Sequence, residues 1–432
     1  MKRREALGLI SGAALTVGLA GCTGGTPGGA SGPTPSSDAE ANSIRYLVEQ
    51  PEDPATLKKL EEHIQTYAAA NPGTTVKVEA MPSENMRTVL QTQLRSGEGP
   101  DVFSWGSGPG YAGALAQAGL LFDLTAAYAQ YKWPVYDFAK QRVTFDGKIV
   151  GIPGEMETVG LFYNKDLFAQ LQLTQPQSLG ELQTAVRKIK AADKTPIAAA
   201  DQEGWPGGHM LSMALSSRIG SKGMEALLNG QAPWNNPDVV AAMQVWKDWN
   251  GAGDLPKSPT SVTTDNAAAL FYSGDAAMLP TGSWAIHDIE KNTKFEVGYM
   301  PFPSEAGAGV FTSGLGSGPF VSASSKKTDA AVKLLNFLAS PEHGRWTVEE
   351  LGTIPAFPVD TTGLKVSPLF SQVLKDTAAF SGGSGDFGLN IDVLATDRFN
   401  KAMWDGMQAV LSDQKTPQEV ALSLDKAAKA AK

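Results

Sequence analysis

The sequence predicts an α/β protein organised as two lobes, and three observations carry that expectation. The chain has 432 residues, more than one core usually holds. A strand, helix, strand, helix, strand spacing fills residues 44–105, and the same alternation restarts after residue 157. Each lobe is therefore expected to be a mainly parallel sheet flanked by helices.

Residues 44–49 form a short apolar strand, and Asp53-Pro54 after it reads as an N-cap with proline at the first helical position. Leu57, Leu60, Ile64 and Tyr67 recur at three and four residues, the stripe of an amphipathic helix that Asn71-Pro72-Gly73 ends. Val76 and Val78 alternate with polar neighbours as a second strand. Ser83 is expected to cap a second helix, with Met86, Leu90 and Leu94 on one face and Gly97 closing it. Residues 101–105 make the third strand. Ligands of such sheets lie beyond the carboxyl ends of the strands, here residues 50–53, Met81-Pro82 and 104–108.

After Gly151-Ile152-Pro153 a further strand is expected over 159–163, with Glu155 and Glu157 just before it. Helices are predicted over 111–118, 166–171, 178–192, 208–219, 237–252, 265–273, 327–339, 341–351 and 392–412, and a buried strand over 196–200. No fixed-period repeat is visible.

Composition narrows the function. The chain is 42% hydrophobic and 19% charged, with a formal charge of -9, and no dense basic stretch follows residue 4. Such a surface repels phosphate backbones, so nucleic acid is excluded as a partner. The lone cysteine, Cys22, allows neither an intramolecular disulfide nor a cysteine metal cluster.

The N-terminus has a different logic. Lys2-Arg3-Arg4 precede an apolar run over 6–20, shorter than the ~20 residues of a spanning helix, and the run ends in Leu19-Ala20-Gly21-Cys22. This is the pattern of a secretion signal, and Leu-Ala-Gly-Cys resembles the bacterial lipobox. That resemblance implies a signal peptide over 1–21 and lipidation of Cys22. Removing three basic residues and one acidic one takes the charge from -9 to -11. Fourteen of the sixteen residues from Thr23 to Asp38 are Gly, Pro, Ser or Thr, so residues 22–43 read as a lipidated, flexible tether. The expected location is the extracellular face of the cell membrane. The twin arginines leave the export route open.

The search for chemistry is mostly negative. There is no phosphate-binding Gly-x4-Gly-Lys-Ser/Thr loop and no Gly-x-Ser-x-Gly elbow, and the four histidines have no metal-ligand spacing. No cofactor and no metal are expected. Glu155 and Glu157 have strand spacing that puts both on one face. Glycoside hydrolysis by paired carboxylates, a solvated turn, and hydrogen bonding to sugar hydroxyls all fit them. Trp105, Trp205, Trp284 and Trp404 have glycine or polar neighbours, unlike Trp246 and Trp249, which sit in an apolar run. Four such indoles favour a cleft that stacks on pyranose rings over four core side chains.

Several blocks then occur in a telling order: Pro100-Asp-Val-Phe-Ser-Trp105, Gly151-Ile-Pro153, Leu161-Phe-Tyr-Asn-Lys-Asp-Leu167, Gly274-Asp-Ala-Ala-Met278 with Gly282-Ser-Trp284, and Leu335-Asn-Phe-Leu-Ala-Ser-Pro341-Glu. Together, over residues 44–412, they resemble the extracellular solute-binding proteins of ABC sugar importers, the family that includes maltose-binding protein.

The resemblance implies a periplasmic-binding-protein type II fold, two α/β lobes joined by hinge crossings that trap ligand as they close. The first lobe would be 44–152 plus 302–354, the second 157–298 plus 357–432. Crossings would fall near Pro153 to Met156, Tyr299 to Phe302 and Ile354-Pro355. Its ligand contacts would be Gln50, Asp53, Trp105, Glu157, Glu203, Trp205, Trp284, Phe387 and Trp404, while Glu155 matches no role. The region of Gln50 to Asp53 departs from the maltose-binding pattern in lacking a lysine, which speaks against maltose itself. The implied function is capture of a mono- or oligosaccharide by a monomeric, lipid-anchored receptor. It would deliver the sugar to permease subunits whose ATPase is a separate chain, without turnover. The alternatives are a secreted carbohydrate-active enzyme using Glu155 or Glu157, and a receptor for a polyol, polyamine or glycerophosphodiester.

Overall fold

The computed structural model describes residues 43–51, 54–381 and 387–430. The expected signal, Cys22 and the tether up to residue 42 lie outside these residues, as does Asp53, while Ser43, expected to end the tether, already opens the first strand.

The first sheet has four strands in the order β11-β3-β1-β2. β1 (Ser43–Glu49), β2 (Thr75–Met81) and β3 (Val102–Gly106) pair in parallel, as the alternation predicts. β11 (Ser317–Val321) adds antiparallel beside β3. Helices Pro54–Ala70 and Ser83–Ser96 make the crossovers. Their stripes are buried: Ile64 and Tyr67 on one, Met86, Leu90 and Leu94 on the other.

The small hairpin of β4 (Thr144–Phe145) and β5 (Lys148–Ile149) follows. The second sheet contains β6 (Met156–Asn164), β7 (Thr195–Ile197), β8 (Ala276–Gly282), β9 (Val297–Met300), β10 (Thr312–Leu315) and β12 (Gly388–Leu389). Its order is β12-β10-β6-β8-β7, with β9 also on β6. Here the expectation of a mainly parallel sheet fails. β6 runs antiparallel to β8, β9 and β10, and only β7 with β8 and β10 with β12 are parallel. The cause is that β6 enters from the first lobe and its neighbours return toward it, so they meet it head to tail. β6 is buried on both faces: Val159 and Leu161 in one core, Phe162 in the other.

Helices form where periodicity places them, with local reasons visible at their ends. Ser178, Asn236, Thr263, Ser340 and Thr396 each accept a backbone N–H at a helix start. The helix Trp205–Leu228 runs past the expected stop, broken at Gly220, whose φ of 64° only glycine adopts readily. The helices Thr125–Tyr131, Asp137–Lys140, Ile286–Asn292, Pro368–Ser381 and Pro417–Lys429 were not foreseen. Trp246 and Trp249 are core side chains, as expected. Among the described residues no helix is long and apolar enough to cross a membrane.

The chain passes between the sheets where backbones touch. Gly151 bridges Phe320 in the first sheet, and five residues later Met156 opens β6 in the second. This passage coincides with the crossing expected at Pro153 to Met156. β10 and β11 are consecutive but lie in different sheets, so the chain crosses again at Gly316, downstream of Tyr299 to Phe302. Ile354 bridges Met156 beside these passages. Gly154 and Gly318 make them possible: a Cβ on Gly154 would lie 2.0 Å from the Gly316 carbonyl oxygen, and one on Gly318 would lie 2.1 Å from that of Ile152.

Candidate functional site

A cleft of about 500 Å³ opens beyond the carboxyl ends of β1 and β3 and is closed on its other side by the second lobe. From the first lobe, Glu49, Gln50, Ser83, Arg87, Trp105 and Tyr111 line it. Glu155, Glu157, Trp205, His209, Trp284 and Asp392 face them.

β1 delivers Glu49 at its last position. Its carboxylate accepts a hydrogen bond from Ser83 Oγ at 2.9 Å and one from Ser317 Oγ at 2.5 Å. Ser83 therefore does not cap its helix; the cap position is Pro82, without a side-chain bond. Trp105 sits in β3 opposite Gly318 and meets Tyr111 edge-on, with centroids 6.2 Å apart. Its indole Nε1 is buried without a protein partner. Arg87, on the helix Ser83–Ser96, places its guanidinium 5.4 Å from the Tyr111 ring and 5.3 Å from that of Trp404.

Glu155 and Glu157 both reach the cleft, as strand spacing requires. Glu157 lies opposite Gly314 in the β6–β10 pair. Gly316 leaves room for both carboxyls: a Cβ there would stand 2.4 Å from Glu157 Oε1 and 2.6 Å from Glu155 Cδ. The two carboxyls therefore lie side by side around the position of that absent side chain. Burial pushes Glu155 up to about 7, and the Glu49 charge adds to the rise. Burial also drives Glu157 well above the carboxylate range, followed by the charges of Glu155, Asp392 and Glu49. Both carboxyls are thus held above the ordinary carboxylate range, chiefly by burial.

Trp205 opens its helix, after Gly204 at φ 83°. His209 follows one turn later on the same face, edge-on to Trp205 at 4.9 Å. Trp284 stands on a 3-10 turn after β8, 6.3 Å from Trp205 at an interplanar angle of 64°. Its ring folds back over Gly282, where a Cβ would lie 1.8 Å from a ring carbon. His209 Nε2 is 3.3 Å from Asp392 Oδ2 and 3.1 Å from Asn390 Nδ2. Asp392 and Asn390 are nearly fully buried in the cleft wall.

Of the expected residues, the fold brings Gln50, Trp105, Glu157, Trp205 and Trp284 together. Trp404 lies within the helix Asp397–Leu411, outside the cleft lining, and touches it through Arg87. Glu203 turns away: its Oε1 accepts the Thr264 N–H at 3.3 Å, at the start of another helix. Phe387 is buried outside the cleft lining. Glu155, without an expected role, lines the cleft, and Glu49, Arg87, Tyr111, His209, Asn390 and Asp392 had not been foreseen. His209 had a signal in the sequence, its i+4 spacing from Trp205. Asp392 had none, because a residue after a two-residue strand has no readable period.

Flat apolar ring faces beside many acceptors suit a hydroxyl-rich, ring-shaped ligand. A larger groove, about 820 Å³, lies on the second lobe around Val186, Trp249 and Phe302, and contains none of the expected site residues. Among the described residues no group of three metal-ligating side chains occurs.

Residues 51–345 match the family described as bacterial extracellular solute-binding protein. The chain is 27% identical over 343 residues to the multiple sugar-binding protein of Streptococcus mutans, covering 76% of this chain and 78% of that one. It is 24% identical to the maltodextrin-binding protein of Bacillus subtilis, covering 82% and 81%. A solved chitin oligosaccharide binding protein superposes with a TM-score of 0.77 at 25% identity, over 90% of this chain and 98% of that one. With its two lobes and its cleft between strand ends, the chain belongs to the bacterial extracellular solute-binding protein family.

Proposed function

We propose that this protein is a lipid-anchored receptor that captures a carbohydrate between its lobes outside the cell. It presents the closed complex to an ABC importer whose ATPase is a separate chain. The observation that carries this reading is the meeting of Trp105, Trp205 and Trp284 with Glu49, Glu155 and Glu157 in one cleft. Indoles cover the apolar faces of a pyranose while carboxylates accept from its hydroxyls. The sugar-binding names of its relatives agree with it. Anchoring rests on Cys22 in its lipobox-like context, and the lobe boundaries are proposed from the sequence resemblance, with the second crossing placed at Gly316 because β10 and β11 lie in different sheets.

Binding without turnover agrees with the relatives, which carry binding-protein names. A glycerophosphodiester would bring its negative charge against the same carboxylates.

The test is a thermal-shift screen of the protein from residue 41 onward against sugars, polyols, polyamines and phosphodiesters, with recovered ligand analysed for cleavage. Ligand at ~100 times its Kd stabilises by about 2.7 kcal/mol. A shift with a saccharide recovered intact supports the receptor; cleaved sugar, or a shift confined to non-sugars, overturns it. Metabolic labelling with a fatty acid, lost in Cys22→Ala, tests the anchor.

A further inference from the structure

The charge of the cleft reaches beyond the recognition of hydroxyls. Five carboxyls line it, Glu49, Glu155, Glu157, Asp288 and Asp392, against one guanidinium, Arg87, and the imidazoles of His209 and His287. Among the described residues no lysine lines it. The guanidinium stands against the rings of Tyr111 and Trp404.

The acidic groups also converge. Glu157 lies opposite Gly314, and Gly314 has Asn390 on its other side: a Cβ on Gly314 would be 3.6 Å from Glu157 Oε2 and 3.5 Å from Asn390 Cβ. The absent side chain of Gly314 leaves the gap between them open. Asp392, 4% exposed, holds Oδ2 toward His209 while its Oδ1 has no protein partner. An uncompensated buried carboxylate oxygen in a cleft wall costs free energy unless a donor arrives. Glu155 and Glu157 stand together beneath the same space, and Glu157 feels the charges of Asp392 and Glu49.

A neutral hydroxyl brings one proton to such a site, whereas an ammonium brings three donors and a charge. Resting on the carbohydrate reading, we propose that the ligand is an amine-bearing saccharide, its protonated amine held by Glu157, Glu155 and Asp392 while its rings stack on Trp205 and Trp284. A linear polyamine would satisfy the carboxylates but leave the indole faces without a ring. An ammonium arriving beside Glu155 and Glu157, which burial raises, favours their ionised forms, so protons leave to solvent on binding.

The experiment is calorimetric titration of the folded protein with di- to tetrasaccharides of glucosamine, their N-acetylated counterparts, neutral glucans of equal length, and spermidine. Each is run at pH 7 in two buffers of different ionisation enthalpy. Tenfold or greater preference for the free amine over the acetylated form, with proton release, is expected. The ratio should fall toward one in both Glu157→Gln and Asp392→Asn, checked for folding by circular dichroism. Equal or tighter binding of acetylated or neutral sugars overturns the amine assignment and leaves the carbohydrate receptor standing. Binding of spermidine alone, or of no saccharide, overturns the carbohydrate reading itself.

Discussion

The guanidinium of Arg87 lies 5.3 Å from the ring of Trp404, which joins a first-lobe helix to the helix Asp397–Leu411 of the second lobe. Such a contact is worth ~0.5–2 kcal/mol, a factor of roughly 2 to 30 in any equilibrium it favours. Arg87→Ala should therefore shift the ligand-free lobes toward opening. Small-angle scattering should record a larger radius of gyration without sugar, and unchanged scattering would show that the contact does not hold the lobes.

Trp284→Ala and Trp205→Ala should each weaken saccharide binding by about 2 kcal/mol or more, because each removes a ring-stacking face while leaving the fold intact. Trp246→Ala should act oppositely. Its ring is fully buried and its Nε1 donates to the Met210 carbonyl at 2.9 Å, so about 3–5 kcal/mol of stability should be lost. Titration and denaturant unfolding of all three variants separate the roles. A stable Trp246→Ala, or cleft variants with wild-type affinity, would refute the division.

Stability should fall as pH rises from about 4 to about 8. Burial holds Glu155 up to about 7 and Asp201 up to about 8, so the folded chain keeps protons that the unfolded chain releases from about pH 4. Each such group withdraws up to about 1.4 kcal/mol per pH unit until its folded pKa is passed, after which its contribution is constant. Asp201 Oδ1 accepts the Gly207 N–H at 2.7 Å, an acceptor that Asp201→Asn can retain. That variant should flatten the slope most between pH 6 and 8, which melting curves across pH would show. A parent protein whose melting temperature does not fall between pH 5 and 8 would contradict the assignment.

Gly154→Ala should destabilise the crossing between lobes by about 1–3 kcal/mol, because its Cβ would meet the Gly316 carbonyl oxygen, a backbone atom with little room to retreat. Gly180→Ala provides the contrast. It lies on an exposed helix surface with only Ser178 Oγ near, at 3.9 Å, and should stabilise by about 1 kcal/mol. Chemical denaturation of both variants checks the pair.

How much of this was legible depended on how local the cause was. The stripes Leu57 to Tyr67 and Met86 to Leu94, the polar caps and the apolar core around Trp246 were read from periodicity, because one helix face decides them. The second lobe's strand directions were not. β6 reads as an apolar run whichever way its partners lie, and β7 and β12 are too short to carry a period. In the site, Trp105, Trp205 and Trp284 stood out by their neighbours. Trp205 and Glu203 were read as a pair, yet a helix begins between them, so Glu203 turns to Thr264 and Trp205 faces the cleft.

By itself the sequence determined what local chemistry controls: two α/β lobes, the signal and tether pattern around Cys22, the indoles suited to a ring-shaped ligand, and the family blocks in their order. Only the tertiary structure decided which carboxyls meet. Glu49, the Glu155–Glu157 pair and Asp392 come from segments far apart in the chain, and their mutual charge exists only once the sheets face each other across Gly314 and Gly316. Electrostatic coupling depends on distance in space, and no period in a linear sequence encodes it.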